Sequence, residues 1–159
     1  MAVFYSFHYE HDVMRVQQVR NMGVLDGQPL LNAQKWEEVR RAGKAAIEQW
    51  IDKQMAYKEA VVVLVGAETA DRPWVQYEIE KAWADKKPLV GIRIHGLANL
   101  QGQTDRPGVN PFTKIRTDPW TTLDQLVPLQ DPAGANSSAV YQSIQANLKT
   151  WVDNAVRRR

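Results

Sequence analysis

Of the acidic residues in this 159-residue chain, Glu78 stands in the company that chemistry would need. It lies in the segment Asp71-Arg72-Pro73-Trp74-Val75-Gln76-Tyr77-Glu78-Ile79, shortly after the apolar run Ala60-Val61-Val62-Val63-Leu64-Val65. Asp71 is a good N-cap and Pro73 suits a first helical turn, so a helix is predicted from there to about Lys86. Val75, Ile79, Ala82 and Trp83 recur at i, i+4, i+7 and i+8 and form its apolar stripe. At about 100° per residue, Glu78 falls roughly 80° from the centre of that stripe, at the edge of the buried face. Trp74 sits one turn earlier on the same side. A helical Glu ordinarily pairs in water with a neighbour such as Lys81. A carboxylate below an indole, near the top of a sheet, is instead where a cleft could form.

A single carboxylate restricts the chemistry. Hydrolysis of an ordinary glycoside takes two carboxyl groups, because the alkoxide leaving group must be protonated. The N-ribosyl bond of NAD differs, since nicotinamide leaves a pyridinium as a neutral base and needs no general acid. What remains is to stabilise an oxocarbenium-like ribosyl cation and to control what attacks it. One carboxylate in a dry site does this electrostatically. Trp74 and Phe7 would supply the dry wall and a stacking face.

Other uses of such a chain are set aside. No G-x-G-x-x-G follows the first apolar run and no Walker loop is present. Val65-Gly66 stands where a receiver domain places an Asp, and no serine sits in a nucleophile elbow. His8, His11 and His95 do not make a metal set. The absence of cysteine excludes disulfides, zinc-thiolate sites and thiol catalysis, and fits a reducing cytoplasm. A net charge of +2 does not argue for nucleic acid, and Arg157-Arg158-Arg159 would complement a helix dipole. The longest apolar run is far short of a membrane span, and a first strand at Val3 leaves no room for a signal peptide.

The elements that must position Glu78 follow from pattern. Residues 3–7 read as a buried strand, and Asp12 can cap a helix with Val13, Val16 and Val19 inward, ending near Gly23. Val24-Leu25 reads as a brief strand, and residues 33–55 as one long helix carrying Trp36, Val39, Gly43, Ile47, Trp50, Ile51 and Gln54 along one side. Residues 60–65 are apolar on both faces, as in a central parallel strand. A strand over 88–94, a loop over 97–111, an edge strand over 112–116 and an irregular stretch over 119–134 follow. A final helix starts at Ser137 or Ser138, with Val140, Ile144, Leu148, Trp151, Val152 and Ala155 facing one way. Trp36, Trp50, Trp83 and Trp151 all read as core. The alternation predicts an α/β fold, a flavodoxin-like three-layer α/β/α arrangement with a mostly parallel central sheet. Ligands in such sheets lie beyond the carboxyl ends of the strands, here Phe7-His8-Tyr9, Gly66-Ala67-Glu68 and His95-Gly96.

Trp74-Val75-x-x-Glu78-Ile79 after a strand and a short polar loop resembles the catalytic-glutamate motif of TIR domains. The opening Val3 to Asp12 resembles the first TIR strand and the loop after it. Phe4-Tyr5-Ser6-Phe7-His8-Tyr9 together with Val16-Gln17-Gln18-Val19-Arg20-Asn21 is similar to the TIR-like family of the bacterial Thoeris anti-phage system (the ThsB family). The resemblance covers roughly the first two-thirds of the chain. It implies one TIR-like domain over 1–159, with a core to about 116 and a C-terminal extension ending in a helix over about 137–158. It implies a cytoplasmic enzyme with NAD as substrate, no separate cofactor and no metal, which releases nicotinamide and makes a cyclic ADP-ribose isomer. The nucleophile would be a hydroxyl of the ADP-ribose itself, held near the anomeric carbon. That product would reach a separate effector by diffusion, after a phage-derived trigger, with no nucleic acid or membrane as partner.

On the resemblance Glu78 is catalytic, and Ser6, Phe7 and His8 line the nicotinamide-ribose end with Trp74. Asp12 is a helix cap or a contact to ribose or amide, and the cap is favoured. Arg93 and His95 end a strand at the ligand edge, with structural and binding roles evenly balanced. Arg20 is a phosphate contact or a surface residue, and Tyr77 points to solvent or a partner. Residues 33–55 and 97–111 do not align with the loop by which TIR enzymes complete a neighbour's site, which weakens the expectation of assembly-dependent catalysis. Two other readings stay open: a nucleoside deoxyribosyltransferase-like enzyme, and a non-enzymatic TIR-like adaptor in which Glu78 is structural.

Overall fold

Runs of β-branched and aromatic residues too short to fold alone are kept dry here by pairing side by side. The computed structural model describes residues 1–159, the side chain of Ala33 aside. In chain order the elements are β1 (Ala2–Ser6), α1 (Tyr9–Asn21), β2 (Asp26–Gly27), α2 (Ala33–Arg41), α3 (Lys44–Met55), β3 (Ala60–Val65), α4 (Pro73–Ala84) and β4 (Leu89–Arg93). There follow β5 (Arg116–Asp118), β6 (Thr121–Thr122), β7 (Leu129–Gln130) and α5 (Ser137–Asp153). The main sheet runs β2-β1-β3-β4-β7 and every pairing in it is parallel. This is the flavodoxin-like strand order, and the expected three-layer α/β/α class is the one found. β5 and β6 form a separate antiparallel ribbon.

β3 is buried along its whole length, as a strand apolar on both faces must be. On one side of the sheet Val16 and Val19 of α1 and Ile144 and Leu148 of α5 pack against Tyr5, Val62 and Ile92. On the other, Ile47 and Ile51 of α3 and Val75 and Ile79 of α4 pack against Phe4, Val61 and Val63. Asn136 caps α5 by accepting from the Ala139 amide, placing the helix start at Ser137 as expected. No helix among the described residues is long and apolar enough to cross a membrane.

Several boundaries differ from the sequence expectation for identifiable reasons. The long helix over 33–55 is two helices, broken at Gly43, whose φ of 97° is open to glycine and strained for other residues. The brief second strand is Asp26–Gly27 rather than Val24-Leu25. Residues 111–114 form a 3₁₀ turn, not an edge strand, and the stretch thought irregular supplies β7. Asp71 does not cap α4. It ends a 3₁₀ turn and, well exposed, pairs with Lys114 at 3.4 Å, while Arg72 takes the cap position and Pro73 opens the helix. The terminal helix ends at Asp153, after which Val156 bridges to Leu89 and Arg158 donates to the Ala84 carbonyl at the end of α4. Arg158 therefore serves α4 rather than its own helix.

Asp12 lies inside α1, not at its cap, which is the His8 position. It is 1% exposed and pairs with Arg15 at 3.2 Å, hard against the end of β3. A Cβ on Gly66 would fall 2.0 Å from Asp12 Oδ2. Gly66→Ala must therefore displace a buried carboxylate from its arginine. It should destabilise the protein by about 1–3 kcal/mol, seen as a drop of roughly 2–4 °C in thermal midpoint per kcal/mol. An unchanged midpoint would show that α1 can back away freely.

Candidate active site

The site begins with two side chains far apart in sequence. β1 ends at Ser6, whose hydroxyl donates to Glu78 Oε1 on α4 at 2.7 Å. Both residues are buried, Ser6 completely. Burial raises the Glu78 carboxyl and the Ser6 hydroxyl lowers it; burial prevails, and the group is pushed up to about 8. An empty site at neutral pH thus holds mostly the neutral acid.

Glu78 faces a cavity of about 190 Å³ between the carboxyl end of β1, residues 28–31, α2, α3 and the start of α4. Its wall is aromatic, from Phe7, Tyr9, Trp36, Trp50 and Trp74. Trp36 stacks on Tyr9 at 5.0 Å and its indole N–H donates to Glu10 at 3.2 Å. The Tyr9 hydroxyl donates to the Leu31 carbonyl. The buried Gln28 amide pairs with the backbone of Tyr5 in both directions, accepting from its N–H and donating to its carbonyl at 2.8 Å each. It thereby continues the ladder where β2 has already ended. Arg40 and Arg72, both exposed, complete the lining.

The family model of the Thoeris protein ThsB, TIR-like domain, matches residues 4–99, more than half of the chain. The chain belongs to this family. It is also 31% identical over 115 residues to a Bacillus cereus (strain MSX-D12) protein named "Putative cyclic ADP-D-ribose synthase ThsB1". That alignment takes in 69% of this chain and 60% of the relative, so the match spans less than two-thirds of that protein's length. Every residue lining the cavity lies within the part of this TIR-like chain that the family model matches.

The structure brings Phe7, His8, Trp74 and Glu78 together around the cavity. Ser6 is behind the wall, bonded to Glu78 instead of facing a ligand. Asp12 and His95 are not in the lining. Asp12 is locked under Gly66, and His95 follows β4, on the far side of β3 from β1, where its carbonyl accepts from Asp105. Arg93 donates to the Gly108 carbonyl at 2.7 Å and Arg20 to that of Gln28 at 3.2 Å, so both hold loops. Tyr77 does not point away: it packs edge-on to Trp74 and donates to Asp52 of α3 at 2.8 Å. Lys81, which a surface Glu78 would have paired with, binds Asp52 and Asp85.

Several of the lining groups escaped the sequence reading. Trp36 and Trp50 read as core because a helical stripe shows which side faces the body, not whether a cavity lies there. Gln28 lies between the elements that the sequence pattern marks, so nothing singled it out. Arg72 was named only within the segment that begins α4, with no role assigned.

The raised carboxyl has a consequence for stability. Between its ordinary value of 4.5 and about 8 the folded protein binds more protons at Glu78 than the unfolded chain does, so stability falls as pH rises through that window. Glu78→Gln keeps an acceptor for Ser6 but removes this slope. It should exceed the parent in stability at pH 8 by on the order of a few kcal/mol and match it near pH 4.5, by denaturant titration. Equal stability at both pH values would mean that water reaches the carboxyl.

Proposed function

We propose that this chain cleaves NAD at the N-ribosyl bond, releases nicotinamide, and closes the remaining ADP-ribose into a cyclic isomer that signals phage infection to a separate effector. The reading places the work in the cytoplasm, with NAD as substrate and no further cofactor. The observation that carries it is the buried Glu78 carboxyl on the floor of an aromatic cavity. Membership of the Thoeris family and the cyclic ADP-D-ribose synthase name of the Bacillus relative support the same conclusion.

The chemistry suits the geometry. The cavity is smaller than the roughly 300–1,000 Å³ of pockets that enclose a whole drug-sized ligand. At about 190 Å³ it takes the nicotinamide-ribose end, and the phosphates lie outward, toward Arg40 and Arg72. The pyridinium brings a positive charge to Glu78, which favours the carboxylate over the acid. That anion then faces the ribosyl cation in a site where aromatic walls exclude water, so its attraction is strong. Glu10, the other acidic lining residue, is half-exposed and engaged by Trp36 and Arg40, which leaves Glu78 for this role.

Purified protein supplied with NAD should yield nicotinamide and a cyclic product by mass spectrometry, and Glu78→Gln should abolish both while remaining folded. Free base from deoxynucleosides but not from NAD would make it a transferase. Unimpaired phage defence with Glu78→Gln in infected cells would make it an adaptor. The pH profile supplies a finer test. kcat/KM should climb as pH rises through about 8, where the empty site loses its proton. Ser6→Ala should move that limb to higher pH, because the hydroxyl is the group holding the carboxyl down.

A further inference from the structure

Capture of the ribosyl cation by a hydroxyl produces a proton that must leave a largely apolar cavity. Most polar groups in the lining are already committed. Glu10 accepts from Trp36 and Arg40, Gln28 is bonded to Tyr5, and Tyr9 donates to Leu31. Glu78 holds Ser6 and faces the cation. His8 is different. It follows the end of β1 with an extended backbone, φ −77° and ψ 101°, and lines the same cavity as Glu78. It is 5% exposed, makes no capping bond for α1, and its buried Nδ1 has no hydrogen-bond partner. It also belongs to two walls at once. Beside the cavity lies an open depression lined by His8, Glu10, His11, Glu68 and Arg72. Glu10 Oε2 stands 3.3 Å from Nδ1 without hydrogen-bond alignment, and Glu68 Oε2 stands 3.9 Å from Nε2.

We propose that His8 accepts the proton of the hydroxyl that captures the ribosyl cation and hands it to solvent through the acid-lined depression. This rests on the NAD-cleaving reading. The carbon–nitrogen bond breaks with its electron pair going to nicotinamide, which leaves neutral. A lone pair of the ribose hydroxyl forms the new carbon–oxygen bond, and the hydroxyl proton passes to the neutral imidazole. The imidazolium is then stabilised by Glu10 and Glu68 until water in the depression removes the proton. Burial first, then Arg72 and His11, hold the imidazole below its usual range against the opposing pull of Glu10 and Glu68, so it is neutral and ready at pH 7. Water attacking in place of the ribose hydroxyl would need the same acceptor.

Nicotinamide exchange separates this role from a structural one. Rebinding of labelled nicotinamide to the cation regenerates NAD and transfers no proton. Parent protein, His8→Ala and His8→Asn are each given NAD with labelled nicotinamide, and both label uptake into NAD and net product are followed. The expected result is that net product falls by about 10²–10⁴-fold in both variants while exchange continues, and that imidazole in the buffer restores product to His8→Ala. Parallel loss of exchange and product in folded variants, or loss of neither, overturns the proposal. Should both His8 variants unfold, Glu10→Gln/Glu68→Gln decides. At saturating NAD, where the bound pyridinium keeps Glu78 ionised, the acidic limb of net product formation should move to lower pH without the two carboxylates, and an unmoved limb overturns the proposal. A parent that shows neither exchange nor product overturns the NAD reading itself, and this inference with it.

Discussion

A carboxyl group removed from water and steadied by one hydroxyl sets the terms for the rest of the molecule. The Ser6–Glu78 bond joins the end of the first strand to the second turn of a helix 72 residues later, and both partners are buried. Ionising a carboxyl there opposes folding, and the single bond from Ser6 offsets only part of the penalty. The surrounding core must supply the difference. It does so through Phe4, Val63, Val75 and Ile79, which lie in one apolar cluster and fix β1, β3 and α4 as a unit. Stability given up at one polar point is what keeps a carboxyl group at the edge of an aromatic cavity.

The parts of the fold that were legible are those written in local pattern. β3 announces itself as six apolar residues, α5 as a 3.6-residue stripe with a cap, and α4 as a stripe behind Pro73. The parts that were not legible depend on partners distant in sequence. β7 is two residues long and exists because Gly91 donates to the Pro128 carbonyl; nothing in Leu129-Gln130 alone marks a strand. The break at Gly43 was hidden by an apolar stripe that continues across it, since side-chain periodicity is blind to a backbone angle.

The same division runs through the site. Glu78 could be placed by helical arithmetic, because its neighbours on the stripe fix its direction. Ser6 and His8 could be placed at a strand end but not assigned contacts, since those are made by α4 and by the loop after β3. Asp12 was misread because what buries it comes from another strand, although its arginine partner is only three residues on. It lies under a glycine at the tip of another strand, paired with an arginine that also holds the Leu97 and Gln103 carbonyls.

That buried arginine explains why the cleft opens where it does. In sheets of this strand order the connections from adjacent strands part at the switch point, here between β1 and β3, and a crevice is left beyond the strand ends. α1 departs β1 to one side of the sheet and α4 leaves β3 to the other. At β3 and β4 the equivalent space is filled. Arg15 and Arg93 tie the chain from Leu97 to Gly108 by its own carbonyls, and Gly108 presses so closely on Gly66 that a Cβ would fall 2.3 Å from the Gly66 carbonyl oxygen. A ligand is thereby directed to the β1 side, where the walls are aromatic and the one deeply buried acid in the lining is Glu78. His95, at the end of β4, is thus kept from that cavity by how the neighbouring strand ends are packed, whatever its own chemistry.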